Sequence, residues 1–192
     1  MDLEWQPDIL IPERTITMIT SPSQIVINGL NSCSGTMRRY PLLYVCSNFS
    51  RVLPGLHRSV SGFSVRRGFT SDQISTIISE CDATYLFIEH DPSLYEEDTR
   101  LIPVVTNKIK TFAREHGTVI IYSDQIDRFM RHIMRASHRV YLYAEWADLI
   151  RRRIRQQQLH GRNRSPREHQ ARLGIFDRPA CEKNGNSEDI VV

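Results

Sequence analysis

The chain has 192 residues, a hydrophobic fraction of 40% and a formal net charge of +3 at pH 7. Its length suits one domain with a sizeable core and a tail. No apolar run approaches the roughly 18 residues of a membrane span, and the acidic N-terminus lacks a signal-peptide pattern, so we expect a soluble cytoplasmic protein that does not contact a membrane.

Alternating apolar runs and amphipathic segments divide the chain up to residue 144. Residues 1–12 are assigned to an N-terminal extension. The apolar runs predict five strands, at 15–20, 41–47, 83–89, 117–123 and 139–144. Each run is nearly continuously apolar, as expected for parallel strands covered on both faces. The pattern predicts an α/β domain over residues 13–145, with a mostly parallel five-stranded sheet between helices.

The segment after the first strand admits two interpretations. Ile25, Val26 and Ile27 are β-branched and are compatible with a further strand. A helix is favoured because it completes the alternation and because an apolar stripe follows helical spacing. The stripe consists of Val26, Leu30, Cys33 and Met37.

Three later segments are predicted to be helices, both from their apolar periodicity and from capping or breaking residues at their ends. Thr70 and Gln73 have the spacing of a capping box. The next helix is predicted to begin after Pro103 and to stop at Gly117. The last of the three is predicted to follow a cap at Asp124.

Residues 146–192 differ from the domain in composition and charge. They are predicted to form one last helix and then, from about Gln158, a flexible tail, because too few apolar residues remain to build a core. Residues 151–192 carry ten Lys and Arg against five Asp and Glu. This charge favours salt-dependent binding to nucleic acid, and a solvated tail without a specific partner is the alternative. The densest arginines are Arg151, Arg152, Arg153 and Arg155.

Taken in order, these segments resemble the core of a RecA/KaiC-type P-loop ATPase, the superfamily that includes archaeal recombinase paralogues of the RadA/RadB type. The resemblance covers residues 13–144. It rests on "RTITMIT" before the nucleotide loop, "YPLLYVCSNFS" as the second strand, "ATYLFIEHDPSL" as the Walker B strand, and "VTNKIKTFAREHGTVIIYSDQ" with "ASHRVYLY" as the remaining helix and strands. It implies a three-layer fold with strand order 5-1-4-3-2, and cores of this type often form homo- or hetero-oligomers.

The phosphate-binding motif is missing from this resemblance. A P-loop needs G-x-x-x-x-G-K-[ST], because backbone N–H groups cradle the phosphates, the lysine reaches the β and γ oxygens, and the hydroxyl holds Mg²⁺. The two glycines, the lysine and the hydroxyl are all replaced. The eight positions here hold Ser21, Pro22, Ser23, Gln24, Ile25, Val26, Ile27 and Asn28.

The carboxylates that serve hydrolysis are also altered. The Walker B position carries Glu89 in place of aspartate, followed by Asp91, and the second strand ends in Ser47 and Asn48 with no carboxylate to activate water. The resemblance therefore implies no ATP hydrolysis, because positioning and charge neutralisation do almost all the work in phosphoryl transfer. A structural interpretation of the same residues has Asp91 turning the chain and His90 exposed to solvent in a loop.

A basic and aromatic segment lies between the second and third predicted strands. Arg58, Arg66 and Arg67 alternate with Phe63 and Phe69, which suits an anion-binding or nucleic-acid-binding surface. A surface hairpin whose aromatic rings pack inward is the alternative. The four cysteines show no metal-ligand spacing, so we expect no metal site and read those in apolar segments as buried thiols.

We therefore expect a catalytically inactive RecA/KaiC-like module that acts by binding, as a regulatory or recombination-associated protein in contact with nucleic acid or a partner protein. No cofactor is expected. The alternative is a nucleotide-binding ATPase or switch in which Glu89 and Asp91 hold Mg²⁺ and Arg51, Arg58 or Arg66 replaces the missing lysine.

Overall fold

The computed structural model describes residues 2–6, 9–57, 62–95, 98–143 and 173–177. The strands are β1 Leu3–Gln6, β2 Ile9–Ile11, β3 Ile16–Thr20, β4 Leu42–Cys46, β5 Phe63–Arg67, β6 Tyr85–Glu89, β7 Thr118–Ser123, β8 Arg139–Tyr143 and β9 Leu173–Asp177. The α-helices are α1 Ser23–Ser32, α2 Ser34–Met37, α3 Ser71–Ser79, α4 Leu101–Glu115 and α5 Arg128–Ala136. Two short 3₁₀ helices span Leu53–Gly55 and Pro92–Tyr95.

A central sheet of seven strands has the order β5-β4-β6-β7-β3-β8-β9. Its first six strands are parallel, and β9 pairs antiparallel with β8. The five predicted strands are present in the predicted order, β8-β3-β7-β6-β4. The predicted number of strands is wrong, because β5 and β9 extend the sheet at its two edges.

Both additional strands lack the continuous apolar run that identifies a buried strand. The β5 sequence "FSVRR" is mostly exposed, as befits a sheet edge. Strand β9 falls within the segment predicted as a flexible tail, and that prediction is wrong for residues 173–177. Backbone hydrogen bonds to β8 define this strand, and such bonds do not require an apolar sequence.

The N-terminal residues predicted as an extension are part of the core. Strands β1 and β2 form an antiparallel hairpin with one buried face, which includes Leu3, Trp5 and Ile11. The Trp5 indole lies against α1 at Gly29, where any β-carbon would overlap the ring. The alternation of buried and exposed residues in the hairpin is the period-2 signal of a half-buried antiparallel pair.

Different elements cover the two faces of the sheet. One face, here called the aliphatic face, is covered by α3, α4 and α5 and consists largely of Ile, Val, Leu and Met side chains, among them Met18, Val45, Ile109 and Ile133. The other, here called the aromatic face, is covered by the hairpin, α1 and α2. Its large rings are Trp5, Tyr44, Tyr85, Phe87, Tyr122 and Tyr141.

The helices follow the sequence prediction closely. The first segment is helical, and its stripe from Val26 to Met37 is buried. Thr70 caps α3 by accepting from the Gln73 N–H at 3.2 Å, as predicted. Helix α4 begins two residues before Pro103 rather than after it. No helix among the described residues combines the length and the apolar character needed to cross a bilayer.

Candidate functional site

The connection between β3 and α1 has only two residues. Strand β3 ends at Thr20 and α1 begins at Ser23, so Ser21 and Pro22 make the whole turn. Pro22 has no N–H, and its carbonyl oxygen accepts a hydrogen bond from the Ile25 N–H at 3.1 Å. The predicted phosphate-loop positions therefore form a tight turn and the first turns of a helix.

The remaining phosphate-loop positions lie on opposite sides of α1. Val26 and Ile27 are buried on the aromatic face, where Ile27 packs closely against Gly55. Gln24 and Asn28 are exposed, and the Gln24 amide donates to Asn28 Oδ1 at 2.9 Å. The position of the phosphate-binding lysine is thus occupied by a core side chain.

A cleft of about 120 Å³ opens at the carboxyl ends of β4, β6 and β7. Parallel strands place their carboxyl ends at one edge of the sheet, and ligand sites of α/β proteins lie there. The ends of β6 and β7 and the loops that follow the three strands line the cleft, with side chains that include Arg51, Glu89, Tyr122 and Asp124.

Glu89 holds the loop after β4 in place. The residue is 8% exposed. Its Oε2 accepts a hydrogen bond from the Tyr44 hydroxyl at 2.6 Å, and its Oε1 accepts from the Arg51 backbone N–H at 2.8 Å. Burial, and then the charge of Glu89, raise the pKa of Tyr44, so this phenol stays a donor. The Glu89 carboxylate therefore has protein donors on both oxygens.

Asp91 has its own set of donors. One oxygen accepts from the Ser47 hydroxyl, and the other accepts from the Ser93 N–H at 3.0 Å and the Ser93 hydroxyl at 2.8 Å. Burial alone would raise the pKa of Asp91, but these hydrogen bonds outweigh it and the pKa lies below its ordinary value. Asp91 thus shapes the turn after β6, as its structural interpretation expects.

His90 is buried, and the expectation of a solvated loop residue is wrong. Its ring stacks on Phe129 and Tyr95, with centroid distances of 4.5 and 5.7 Å. His90 Nε2 lies 2.7 Å from Asp127 Oδ2. Burial alone would raise the pKa of Asp127, but the hydrogen bond with His90, the charge of His90 and backbone hydrogen bonds such as that from the Met130 N–H together outweigh burial and lower this pKa. Stacking on these two aromatic rings stabilises the buried position of the His90 ring.

Asp127, and not the predicted Asp124, caps α5. Its Oδ1 accepts from the Met130 N–H at 2.8 Å. Asp124 instead forms an ion pair with Arg51 at the mouth of the cleft, where the two side chains are 33% and 67% exposed. This pair joins the loop after β4 to the loop after β7.

Tyr122 places a buried hydroxyl group at the cleft. The residue is 1% exposed, and its hydroxyl has no hydrogen-bond partner among the described residues. Burial, and then the charge of Glu89, raise the pKa of Tyr122 to about 12, while Arg51 acts in the opposite direction. Tyr122 is therefore a neutral phenol at physiological pH.

The basic and aromatic segment is not a hairpin, because β5 pairs parallel with β4. Phe63 does pack inward, with its ring centroid 5.4 Å from that of Tyr44. Arg66 forms an exposed ion pair with Glu80 at 2.9 Å. Arg67 Nη1 donates to the carbonyl oxygens of Ser47 and Asn48 at 3.1 and 2.5 Å.

Two phenyl rings near Arg67 are exposed. Phe49 is 84% exposed and Phe69 is 57% exposed. Phe49 follows the Asn48 carbonyl to which Arg67 donates, and Phe69 lies two residues after Arg67 in the chain. We call Phe49, Arg67 and Phe69 the edge surface, because they lie at the carboxyl end of the edge strand β5 and its neighbour β4.

Several predicted site residues cannot be placed, because they lie outside the described residues. They are Arg58, Arg151, Arg152, Arg153 and Arg155. Within the described ranges, no group of three or more His, Cys, Asp or Glu side chains is arranged to hold a metal. Cys33, Cys46 and Cys81 are buried free thiols, as the apolar segments predict.

The sequence interpretation missed Tyr44, Tyr122 and Asp127. Both tyrosines lie in apolar runs and read as ordinary core residues. Tyr122 becomes part of the cleft because β7 pairs with β6 and places it directly beside Glu89. Only the capping role of Asp127 had a sequence signal, since an aspartate before an amphipathic segment is a common helix cap.

No protein-family model matches this chain. It is similar to an uncharacterized protein of Archaeoglobus fulgidus, with 30% identity over 125 residues. The match covers 65% of this chain and 62% of the relative, so the chain spans less than two thirds of the length of that protein.

Proposed function

We propose that this chain is a RecA/KaiC-like module that does not process ATP and acts by binding, with single-stranded nucleic acid as its ligand. The order of the five parallel strands β8-β3-β7-β6-β4 supports the first part, because it is the order that the resemblance implies. The two-residue connection between β3 and α1 is the observation that argues against ATP chemistry.

A phosphate cradle requires a loop long enough to aim several backbone N–H groups at one ligand. The connection of Ser21 and Pro22 supplies one N–H of its own, because proline has none. The lysine position is Ile27, which is 8% exposed. A triphosphate would therefore meet neither the amide cradle nor the cation that neutralises it.

The residues present do not fit Mg²⁺–ATP at the Walker B-like end either. The oxygens of Glu89 and Asp91 each accept at least one hydrogen bond from a protein donor, and the described residues include no group of three His, Cys, Asp or Glu side chains arranged to hold a metal. The cleft of about 120 Å³ is smaller than the roughly 300–1,000 Å³ typical of small-molecule sites. These features favour the binding module over the nucleotide switch.

Calorimetry with Mg²⁺–ATP tests this part of the proposal. We expect no saturable heat at micromolar protein and up to millimolar nucleotide. Micromolar binding that disappears in Glu89→Gln would instead establish the nucleotide switch. Glu89→Gln is preferred to alanine, because its amide oxygen can still accept from the Arg51 N–H while its NH2 group can donate to the Tyr44 hydroxyl oxygen, which keeps the loop anchored.

The edge surface suits single-stranded nucleic acid. Exposed aromatic rings provide stacking platforms for unpaired bases, and arginine guanidinium groups neutralise the backbone. Phe49 and Phe69 are large apolar side chains that the fold leaves in solvent. Arg67 donates to the carbonyl oxygen of Asn48, the residue before Phe49. Arg66 lies next to Arg67, and its exposed ion pair with Glu80 contributes little and is easily exchanged.

Fluorescence anisotropy with labelled oligo(dT) at low salt tests the edge surface. Phe49→Ala and Phe69→Ala should each weaken binding by at least about fivefold, because stacking contributes roughly 1–3 kcal/mol per base. Val104→Ala is the matched control, since Val104 is 47% exposed on α4 and is not one of the residues of the edge surface. Wild-type affinity in both phenylalanine variants would refute the edge surface as the binding site.

The basic segment at residues 151–155 needs a separate variant, because it could bind nucleic acid by charge alone. Replacing Arg151, Arg152, Arg153 and Arg155 by glutamine is preferable to deleting residues 151–192, since deletion would remove β9 from the sheet. If Phe49→Ala still weakens binding when it is combined with the four glutamine substitutions, stacking at the edge surface is independent of residues 151–155. If it abolishes all binding, electrostatic attraction by residues 151–155 accounts for the affinity instead.

A further inference from the structure

The cleft contains a buried polar atom that the fold does not use. The Tyr122 hydroxyl has no hydrogen-bond partner in the part of the chain that the structure describes, and the residue is 1% exposed. Buried hydroxyls are normally paired, because an unpaired one loses its bonds to water without replacement. The same side chain lines the cleft, so a bound group there would supply the missing partner.

The charges around this hydroxyl favour a cation. Three carboxylates line the cleft, from Glu89, Asp91 and Asp124, against the single guanidinium of Arg51. Arg51 is already paired with Asp124. An anionic ligand would face this excess of negative charge with no uncommitted cation among the lining residues.

We propose that this cleft binds a primary ammonium group. An ammonium has three N–H donors and no acceptor. Three of the lining residues offer acceptors, namely the Tyr122 hydroxyl oxygen and the carboxylates of Glu89 and Asp124. Each oxygen of Glu89 accepts one hydrogen bond from the protein and retains capacity for another.

A divalent metal ion fits the same residues less well. Metals of this kind need several oxygen ligands at fixed geometry, and a neutral phenol is a poor ligand. The described residues include no group of three side chains arranged to hold one. The size of the cleft, about 120 Å³, admits a small amine or the end of a lysine side chain and excludes a nucleotide.

The proposal does not depend on nucleic-acid binding, because none of the acceptors that it uses belongs to the edge surface; Phe49 is the residue that the cleft and the edge surface share. The ammonium could belong to a free alkylamine or to a lysine of another protein. Both present the same donors, and a lysine analogue distinguishes them. Tighter binding of Nα-acetyl-lysine-N-methylamide than of n-butylammonium would identify a protein lysine, and the reverse would identify a free amine.

Amide NMR on the full chain tests the site at constant ionic strength. Methylammonium chloride should give saturable shifts of the Glu89, Tyr122 and Asp124 resonances. Tetramethylammonium chloride carries the same charge without N–H donors and should not. Equal shifts with both salts, or larger shifts with MgCl₂ at the same concentration, would overturn the proposal.

Three substitutions, one of them a control, make the test specific. Tyr122→Phe removes only the hydroxyl and should weaken methylammonium binding roughly three- to tenfold, the effect of one hydrogen bond. Tyr141→Phe, on the same face but outside the cleft, should leave the affinity unchanged. Asp124→Asn, at a partly exposed position, should also weaken binding by at least threefold. Unchanged affinity in both Tyr122→Phe and Asp124→Asn would show that the ammonium binds elsewhere.

Discussion

Both faces of the sheet are packed against other elements, but they are packed with different kinds of side chain. On the aliphatic face, α3, α4 and α5 pack branched side chains against the strands, and buried hydroxyls such as Thr106 and Ser137 donate to carbonyls of their own helices. On the aromatic face, Tyr44 and Tyr141 need partners from distant segments, and Trp5 Nε1 and the Tyr122 hydroxyl have none among the described residues. Helices satisfy polar groups locally, whereas a face of large rings depends on long-range contacts.

Gly29→Ala should be the most damaging small change on the aromatic face. A methyl group there overlaps the Trp5 indole, so either the hairpin or α1 must move. We expect a loss of about 3 kcal/mol in the free energy of unfolding, as for severe overpacking. Urea denaturation measures it.

Gly35→Ala in α2 is the matched control, because nothing lies within 4 Å of its added carbon. It should be neutral or stabilise by up to about 1 kcal/mol through helix propensity. Similar stability losses in both variants would mean that the hairpin does not pack on α1 as described.

Tyr44→Phe should cost about 2 kcal/mol, because it leaves one oxygen of the buried Glu89 carboxylate without its donor. Tyr122→Phe is the comparison, since it removes a hydroxyl on the same face that has no protein partner to lose. Its stability should equal or exceed that of the wild type. Equal losses in the two variants would contradict the assignment of the Glu89 bond to Tyr44.

Tyr141→Phe should have an intermediate effect of about 0.5–1 kcal/mol. Its hydroxyl donates to the Leu10 carbonyl oxygen at 2.9 Å, but Arg139 donates to the same oxygen at 2.7 Å. The carbonyl therefore keeps one donor after the substitution. Combining Tyr141→Phe with Arg139→Gln should cost more than the sum of the single losses, and a purely additive double variant would argue against a shared acceptor.

Asp127 on the aliphatic face contributes less to the free energy of unfolding than the residues above, and its contribution depends on pH. Its pKa is lowered in the folded chain, so its stabilisation is present above the unfolded pKa of about 3.9 and is lost as the pH falls through the folded pKa. Asp127→Asn keeps a capping oxygen and removes the charge. We expect its stability deficit relative to wild type to shrink below about pH 4.

Unfolding by urea at several pH values between 3 and 7 measures this deficit. Asp82→Asn, at an exposed loop position, provides the control. A deficit for Asp127→Asn that is the same at pH 7 and pH 3 would contradict a role for the ionised carboxylate beside His90.

Prediction from sequence succeeded where the signal is local. The buried strands and the helices follow from apolar periodicity, because each pattern is contained in a short window. The strands β1, β2, β5 and β9 were missed, since they are short or lie at edges and are defined by their partners. The cleft was anticipated only through Glu89, Asp91 and Arg51, because nothing near Tyr122 in the sequence distinguishes it from a core residue.

The sequence by itself determined that a phosphate loop is absent, since residues 21–28 lack the groups that phosphate requires, and it determined the order along the chain of the five buried parallel strands and the helices between them. Only the tertiary structure decided that the N-terminal hairpin completes the aromatic face and that Tyr122 lies beside Glu89. The reason is that these contacts join residues more than 20 positions apart, and the arrangement of the strands, not any local pattern, brings them together.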